Sequence, residues 1–417
     1  MEISKFLRKV PFIYNIIRKI ANEKIDLRLK NKKLKNEKIN VVFVCHRPAV
    51  WESLHSVYDA MKQDEAFNVT IVAIPNKKEL PVKWLNHEEY ESEGAEEFWE
   101  KYGCINGFNY ETKEWFDLKK LNPDYVFFQQ PYNITRCPQY KSWVVAGYAK
   151  ICYVAYASNF IGSGIFEETT PVDFVRDVSV FFTQNKMDDE LVRNYLKQIK
   201  NNFTKAVITG FPRNDSIIFH QPQEVDIWKH TKEAGRFRVL WTPRWCTNEG
   251  NCNFFRYKDL LSTYMLNNDT YDFVFRPHPQ AFANWISSGE ISTEDLEAYK
   301  NKFMSSRNMN IDNNYDYLNT IYMSDCLITD VSSFIQDYFF TGKPVIYCHN
   351  KDCFNEFSRE MAQGFYWVEN FEQLVKTLEM LSSGVDPLKG RRQEILKSLF
   401  SFGELASEKV KKYILEM

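Results

Sequence analysis

The sequence predicts an α/β protein made of two consecutive doubly wound parallel sheets facing a cleft, preceded by a basic amphipathic helix. Three observations carry this reading. From residue 39 onward short apolar runs alternate with longer amphipathic segments, as in strands joined by crossover helices. A polar stretch from Arg213 to Arg236 divides the runs into two series. Polar clusters directly follow several runs, where an open parallel sheet binds its ligands.

The elements follow in chain order. Residues 1–38 form a basic leader, with a helix from about residue 11, because Pro11 starts a helix well and breaks one running through it. Ile13, Ile16, Ile17 and Ile20 share one face of it, with Arg18 and Lys19 away from that face. Such a segment suits an anionic membrane surface, the isoleucines inserting and the lysines adding attraction. The alternatives are a leader helix packed on the body or one half of an oligomer contact. Residues 39–212 form the first domain. Its strands are Ile39–Val44, Val69–Pro75, Asp124–Phe128, Ile151–Ala155, Val178–Phe182 and Ala206–Gly210. Residues 213–390 form the second, with strands Val239–Thr242, Phe273–Phe275, Cys326–Thr329 and Val345–Tyr347. Lys258–Asn267 and Thr293–Met304 read as helices between them, and 391–417 as a C-terminal helix.

Composition excludes several classes. The net charge of −2 hides a leader with a surplus of positive charge and a body with a surplus of negative charge. An acidic body argues against nucleic-acid binding, which depends on neutralising phosphates. The nine cysteines include no C-x-x-C pair and several sit in apolar runs, as reduced structural thiols of a cytosolic protein do. No apolar run approaches the roughly 18–20 residues of a membrane span. The start lacks a signal-peptide cleavage site. A cytoplasmic protein, peripheral on the inner face of the membrane, fits these limits. No glycine-rich dinucleotide fingerprint, phosphate loop, nucleophile elbow or metal-demanding carboxylate cluster is present, and no cofactor or metal is expected.

The chemistry concentrates between Asp272 and Tyr347. One strand ends in Arg276-Pro277-His278-Pro279 and another in Thr329-Asp330-Val331-Ser332-Ser333. Ser332 and Ser333 open a helix, offering hydroxyls and free backbone N–H groups to a diphosphate; the alternative is a plain helix cap. His278 is placed to stabilise charge on a leaving nucleotide. Arg276 is either a diphosphate contact or an ion-pair partner inside the domain. Asp330 belongs to the same phosphate cluster. Asp337 either orients a donor hydroxyl or sits favourably in the first helical turn. Thr242 and Arg244 follow the second domain's first strand as phosphate contacts. Arg213, with Asn214 and Asp215, shapes the junction of the domains or forms a hinge.

On the acceptor side, His46 ends the first strand and is the leading general base if its pKa stays near neutral. Glu52 and His55 lie one turn apart on the following helix, as base or orienter. Gln129, Gln130 and Tyr132 line the acceptor groove.

The motifs TGFPRND (209–215), LWTPRW (240–245), FRPHP (275–279), TDVSSFIQDYF (329–339) and GKPVIY (342–347) occur together and in this order. The chain thereby resembles the CDP-glycerol glycerophosphotransferases, the teichoic-acid and capsule polymer enzymes of the bacterial envelope. The resemblance covers about residues 205–370 well and the first half loosely. It implies a GT-B fold, a CDP-linked polyol donor held by the second domain, and a glycan or lipid-linked polymer acceptor held by the first. The family's His-Gly-Thr-Pro motif, whose histidine is the proposed base, has no counterpart here. The matching strand end reads Phe127-Phe128-Gln129-Gln130-Pro131-Tyr132-Asn133.

The expected function is transfer of a polyol phosphate, glycerol phosphate foremost, from a CDP-linked donor to a surface-polymer hydroxyl with release of CMP. A nucleotide-sugar glycosyltransferase of the same fold and a non-catalytic polymer-binding protein are the rival readings.

Overall fold

The computed structural model describes residues 10–77, 90–91, 95–156, 170–218, 220–248, 252–314, 317–332, 334–348, 354–399 and 404–417. The chain divides into two compact units, with a boundary after Ser216 and the last residues, from 403 on, belonging to the first unit.

Among the described residues, the main sheet of the first unit has seven strands: β1 (Ile39–Cys45), β2 (Phe67–Ala73), β3 (Ile105–Asn106), β4 (Tyr125–Phe128), β5 (Lys150–Val154), β6 (Val178–Thr183) and β7 (Lys205–Ile208). They pair in the order β7-β6-β5-β4-β1-β2-β3, every pairing parallel. The order reverses between β1 and β4, the switch point where a doubly wound sheet opens a crevice at its carboxyl edge. Both faces are covered, which is why these strands read as continuous apolar runs. Phe43 stacks on Phe127 at 4.9 Å within one core, and Tyr153 meets Phe174 edge-on in the other.

Helix α1 (Pro11–Leu34) crosses the amino edge of this sheet, its inward side combining polar contacts with Ile25 and Leu29, which are buried in the core. Asp124, fully buried just ahead of β4, accepts Arg28 Nε at 2.8 Å, Lys32 Nζ at 2.6 Å and the Asn40 N–H at 2.8 Å. Asp26 pairs with Lys150 at the start of β5, and Tyr14 donates to Asp177. Ser179 Oγ of β6 donates to Asn22 at 2.8 Å, and Asn15 Nδ2 donates to the Lys200 carbonyl at 2.6 Å. The opposite side is apolar and open: Phe12 is 74% exposed, Ile16 43%, Ile20 47% and Leu27 63%. The leader is part of the first unit, and Arg28 and Lys32 serve the fold.

The second unit holds β8 (Phe237–Thr242), β9 (Tyr271–Phe275), β10 (Met309–Ile311), β11 (Cys326–Thr329), β12 (Val345–Cys348) and β13 (Tyr366–Val368). Their order is β10-β9-β8-β11-β12-β13, again all parallel, with the switch point between β8 and β11. The strands absent from the sequence reading, β3, β10 and β13, are edge or near-edge strands of two or three residues, too short to show a period.

The single helix expected over 391–417 is instead two. Lys389–Leu399 stays with the second unit, while Ala406–Glu416 returns to the first and buries Val410 and Ile414 in its core. Asp215 secures the return, accepting the N–H groups of Ala406 at 2.9 Å and Ser407 at 2.8 Å. A carboxylate at a helix amino terminus satisfies free donors and complements the helix dipole.

Asp124→Ala leaves Lys32 buried without its counter-charge. The expected loss is about 3–5 kcal/mol, the cost of breaking a buried pair by removing one partner. Urea unfolding followed by circular dichroism measures it, and a loss below about 1 kcal/mol would class the contact with surface pairs.

Candidate active site

In the second unit the sequence-predicted donor residues gather at the carboxyl ends of β8, β9 and β11. Register pairs Thr242 with Thr329 across the switch point. The Thr242 hydroxyl donates to Thr329 Oγ1 at 3.1 Å, and Thr329 donates to the Thr242 carbonyl at 2.7 Å. Thr242 therefore ties the two strands together.

Asp330 is buried, and its carboxylate accepts the Asn253 N–H at 2.6 Å and the Arg244 N–H. Burial pushes its pKa up to about 7 against the pull of those N–H groups and the Arg244 charge. It is an anchor for the loop after β8. Cys252 Sγ donates to the Arg244 carbonyl at 2.7 Å and tightens the same loop.

That loop carries Trp245, which stacks on the His278 imidazole at 5.3 Å and 21°. Trp245 is held in turn by Trp285 Nε1, which donates to its carbonyl at 2.7 Å. His278 Nδ1 accepts the Gln280 N–H at 3.2 Å, so the neutral ring carries its proton on Nε2. Partial burial, then the Arg244 charge, lowers the His278 pKa, and the ring is neutral at pH 7. Nε2 has no hydrogen-bond partner among the described residues. The arrangement offers a rigid neutral N–H donor beside a guanidinium. Trp245 was missed as a site residue, although LWTPRW contains it; nothing in a sequence shows a stack.

Two expected donor contacts are occupied otherwise. Arg276 pairs with the buried Asp312 at 2.5 Å, donates to the Asn314 carbonyl at 2.7 Å and lies over the Tyr317 ring. This is the internal ion pair of the two alternatives. Asp337 is buried and accepts the Tyr317 hydroxyl at 2.9 Å. Ser332 Oγ accepts the Phe334 N–H at 3.1 Å, as a cap does. The helix it opens, Phe334–Phe339, is under two turns long. Ser333 lies outside the described residues.

In the first unit the carboxyl edge of β1 and β4 is built on glutamines. Gln129 Oε1 accepts the N–H groups of His46 at 2.9 Å and Arg47 at 2.8 Å, while its Nε2 donates to the Arg47 carbonyl at 2.6 Å. Gln130 Oε1 meets His46 Nε2 at 2.8 Å. Both glutamines are buried and hold the loop after β1 in place. The Gln129 amide is thereby spent on the loop, which corrects its expected place in an acceptor groove, and the Gln130 carbonyl oxygen is taken by His46.

His46 stands at the strand end, but is 3% exposed. Burial, then the Arg136 charge, lowers its pKa to about 3. The near-neutral pKa required of a base is absent, and its Nε2 is spent on Gln130. Arg47, beside it, is exposed, a cation that sequence reasoning passed over. Tyr132 is half-buried and its hydroxyl pairs with that of Tyr156 at 2.7 Å.

The accessible imidazole is His55, in the helix α2 (Glu52–Lys62) that follows β1. Its Nδ1 lies 3.7 Å from Glu52 Oε1 and its Nε2 3.2 Å from Asp59 Oδ2, with Trp51 and Tyr102 against the ring. Burial alone would lower the His55 pKa, but the two carboxylates outweigh it and the net shift is upward. Burial would raise Glu52, yet His55, Ser216 and Arg213 hold it below its ordinary value. Arg213 thus lends its charge to Glu52.

The model of the family described as CDP-glycerol:poly(glycerophosphate) glycerophosphotransferase matches residues 176–416. No curated protein matches the chain. Among solved structures, the UDP-GlcNAc 2-epimerase of Neisseria meningitidis bound to UDP-GlcNAc is similar at 11% identity and TM-score 0.60, covering 91% of this chain and 100% of its own. Staphylococcus aureus MnaA with UDP is similar at 12% identity and TM-score 0.59, covering 90% and 96%. A wall teichoic acid polymerase TagF structure with CDPG is similar at 15% identity and TM-score 0.50, covering 100% and 97%. These likenesses show the fold, the GT-B type with two doubly wound units. The family match spans more than half the sequence, and this chain belongs to the CDP-glycerol:poly(glycerophosphate) glycerophosphotransferase family.

Proposed function

We propose that this enzyme transfers glycerol phosphate from CDP-glycerol to a terminal hydroxyl of a surface-polymer acceptor, with the second unit gripping the donor and the first presenting the acceptor. The observation that carries the donor assignment is the unpartnered Nε2–H of His278, held beside Arg244 by the Trp245 stack at a sheet's carboxyl edge.

In the reaction the acceptor oxygen forms a bond to the β-phosphorus as the bond from that phosphorus to the bridging oxygen breaks. CMP leaves with the electron pair. His278 donates a hydrogen bond to a diphosphate oxygen and Arg244 adds positive charge, so both act where negative charge grows. The acceptor proton passes to His55, oriented by Glu52; Asp59, 45% exposed in its side chain, is the partner the acceptor hydroxyl displaces. Arg47 and Tyr132 offer a cation and a hydroxyl to the acceptor chain.

The open apolar side of α1 supports attachment to an anionic bilayer. Lys19, Lys24, Lys30 and Lys33 are exposed around Phe12, Ile16, Ile20 and Leu27, the pattern of a helix lying in a membrane interface. No described helix is long and apolar enough to cross a membrane.

The direct test is release of CMP from CDP-glycerol in the presence of a glycerol-phosphate oligomer, against UDP-sugars as controls. Release of UDP alone would favour glycosyl transfer. His278→Ala is expected to lower kcat by about 10²–10³-fold with the fold intact, the scale of losing one charge-stabilising donor. Near wild-type turnover would remove His278 from the chemistry.

A base must be deprotonated, so activity falls as pH drops through the His55 pKa, which sits above the ordinary value of 6.5. His55→Gln is expected to lower kcat by about 10²–10⁴-fold and to abolish that acidic limb. An unchanged pH–rate profile in the variant would exclude His55 as the base. For the membrane contact, Ile16→Glu with Ile20→Glu is expected to release the protein from phosphatidylglycerol vesicles in sedimentation while its turnover of a soluble acceptor persists. Undiminished sedimentation would place the contact elsewhere.

A further inference from the structure

We propose that Tyr102 is a positioning residue of the proton transfer: its hydroxyl fixes the tautomer of His55, keeping the ring proton on Nδ1 against Glu52 and the lone pair of Nε2 for the acceptor. The proposal rests on the reading of His55 as the base and deepens it.

Tyr102 closes the turn after the short helix Ala95–Glu100. Its N–H donates to the Trp99 carbonyl at 2.9 Å, and Gly103 behind it takes a φ of +68°, a conformation that glycine adopts without strain. The chain then enters β3, which pairs with Val72 and Ala73 at the end of β2. The Tyr102 ring meets Trp51, His55 and Tyr58 edge-on, at 5.7, 5.9 and 5.6 Å between centroids. These rings brace it, so its hydroxyl is held at one place beside the imidazole.

The direction of the phenol proton follows from its neighbours. Trp51 Nε1 can only donate, and it lies 3.3 Å from the Tyr102 oxygen. The oxygen accepts there, and its own proton is left for His55 Nε2 at 3.4 Å. A ring nitrogen that accepts carries no proton. The neutral imidazole is then protonated on Nδ1, the atom 3.7 Å from Glu52 Oε1.

Asp59 favours the opposite state. Its Oδ2 lies 3.2 Å from the same Nε2, and a carboxylate can only accept, so it draws a proton there. An imidazole protonated on Nε2 has no lone pair for an incoming hydroxyl. Lys101, the other charge facing the ring, opposes protonation at either nitrogen. Asp59 is 45% exposed in its side chain and screened by water, whereas Tyr102 is braced by its neighbours.

In the complex the acceptor O–H takes the place of Asp59 and donates to Nε2. The bond from Tyr102 to Nε2 is long and easily exchanged, so the phenol proton turns to a lone pair of the acceptor oxygen. As that oxygen bonds to phosphorus its proton passes to Nε2, and Glu52 faces the Nδ1–H of the imidazolium that forms.

Tyr102→Phe keeps the ring and removes the hydroxyl. In the full chain with isotope-labelled histidine nitrogens, the His55 signals are identified by their loss in His55→Gln. The neutral wild-type ring is expected to show a protonated Nδ1 and a bare Nε2. In Tyr102→Phe the balance is expected to move toward Nε2–H by about tenfold, the population change that one hydrogen bond of ordinary strength produces. The kcat/KM for a glycerol-phosphate oligomer should fall by a similar factor where the ring is neutral, while the KM for CDP-glycerol keeps its wild-type value. A wild-type ring protonated on Nε2 would overturn the proposal, as would an unchanged tautomer or an unchanged acceptor kcat/KM in the variant. Wild-type turnover in His55→Gln would instead remove the base reading and this inference with it. Lost turnover in His55→Gln beside an unaltered Tyr102→Phe would strike Tyr102 alone.

Discussion

The orientation of α1 depends on Asp124. A carboxylate with no exposed surface must be neutralised, and at the amino edge of β4 the available cations come from one helix, Arg28 and Lys32 a turn apart. Meeting that demand turns the polar side of α1 inward, and the rest follows from geometry. Asn15, Asn22 and Asp26 fall against β7, β6 and β5 because the helix rises along the row of strand ends. Phe12, Ile16, Ile20 and Leu27 are left on the exposed side, while Ile25 and Leu29 pack into the core. An ordinary amphipathic helix is fixed by burying its apolar face. This one is fixed by its charges together with Ile25 and Leu29, and a second set of apolar side chains stays exposed.

The two switch points share a second device. In each, a buried acceptor fastens the loop that follows the first strand: Asp330 takes two backbone N–H groups in the second unit, and Gln129 takes two in the first. Loops beside a ligand site otherwise carry unsatisfied donors and move freely. Asp215 repeats the arrangement at the return of the last helix. Lys343 of the GKPVIY motif donates to the Ser324 carbonyl at 2.6 Å and, with Gly342 at a φ of +69°, closes the turn ahead of β12. Much of the motif content of this chain is therefore scaffold, setting a few groups such as His278 at fixed positions.

This explains what was legible beforehand. Long central strands are apolar throughout because parallel sheets are covered on both faces, so β1, β4, β6, β8 and β11 stand out in the sequence. Their order then locates the switch points, and with them His278, Arg244, Gln129 and His46. Side-chain commitments were not legible. Arg276 looks like a phosphate ligand until Asp312, 36 residues on, is seen to hold it. His46 looks like a base until the depth of β1 and the nearness of Arg136 are known. The leader was read as amphipathic from four isoleucines, which is correct for Ile13, Ile16 and Ile20. That its other face would bind a sheet edge depended on Asp124, about ninety residues away in sequence.

The imidazoles illustrate how burial assigns roles that residue type cannot. His46, His55 and His278 all follow strands at a carboxyl edge, and each could be written into a proton transfer on paper. Desolvation and Arg136 make His46 a permanent neutral donor to Gln130. Burial and the nearby Arg244 lower the His278 pKa, and the ring stacked on Trp245 keeps its Nε2–H open among the described residues, which suits a growing negative charge. Of these three, only His55 lies between two carboxylates, whose charge raises its pKa against the effect of burial. The absence of the family's histidine after β4 is then chemically tolerable. The imidazole we propose as proton acceptor lies instead in the helix that follows β1, ten residues past the strand's end, with Glu52 beside it.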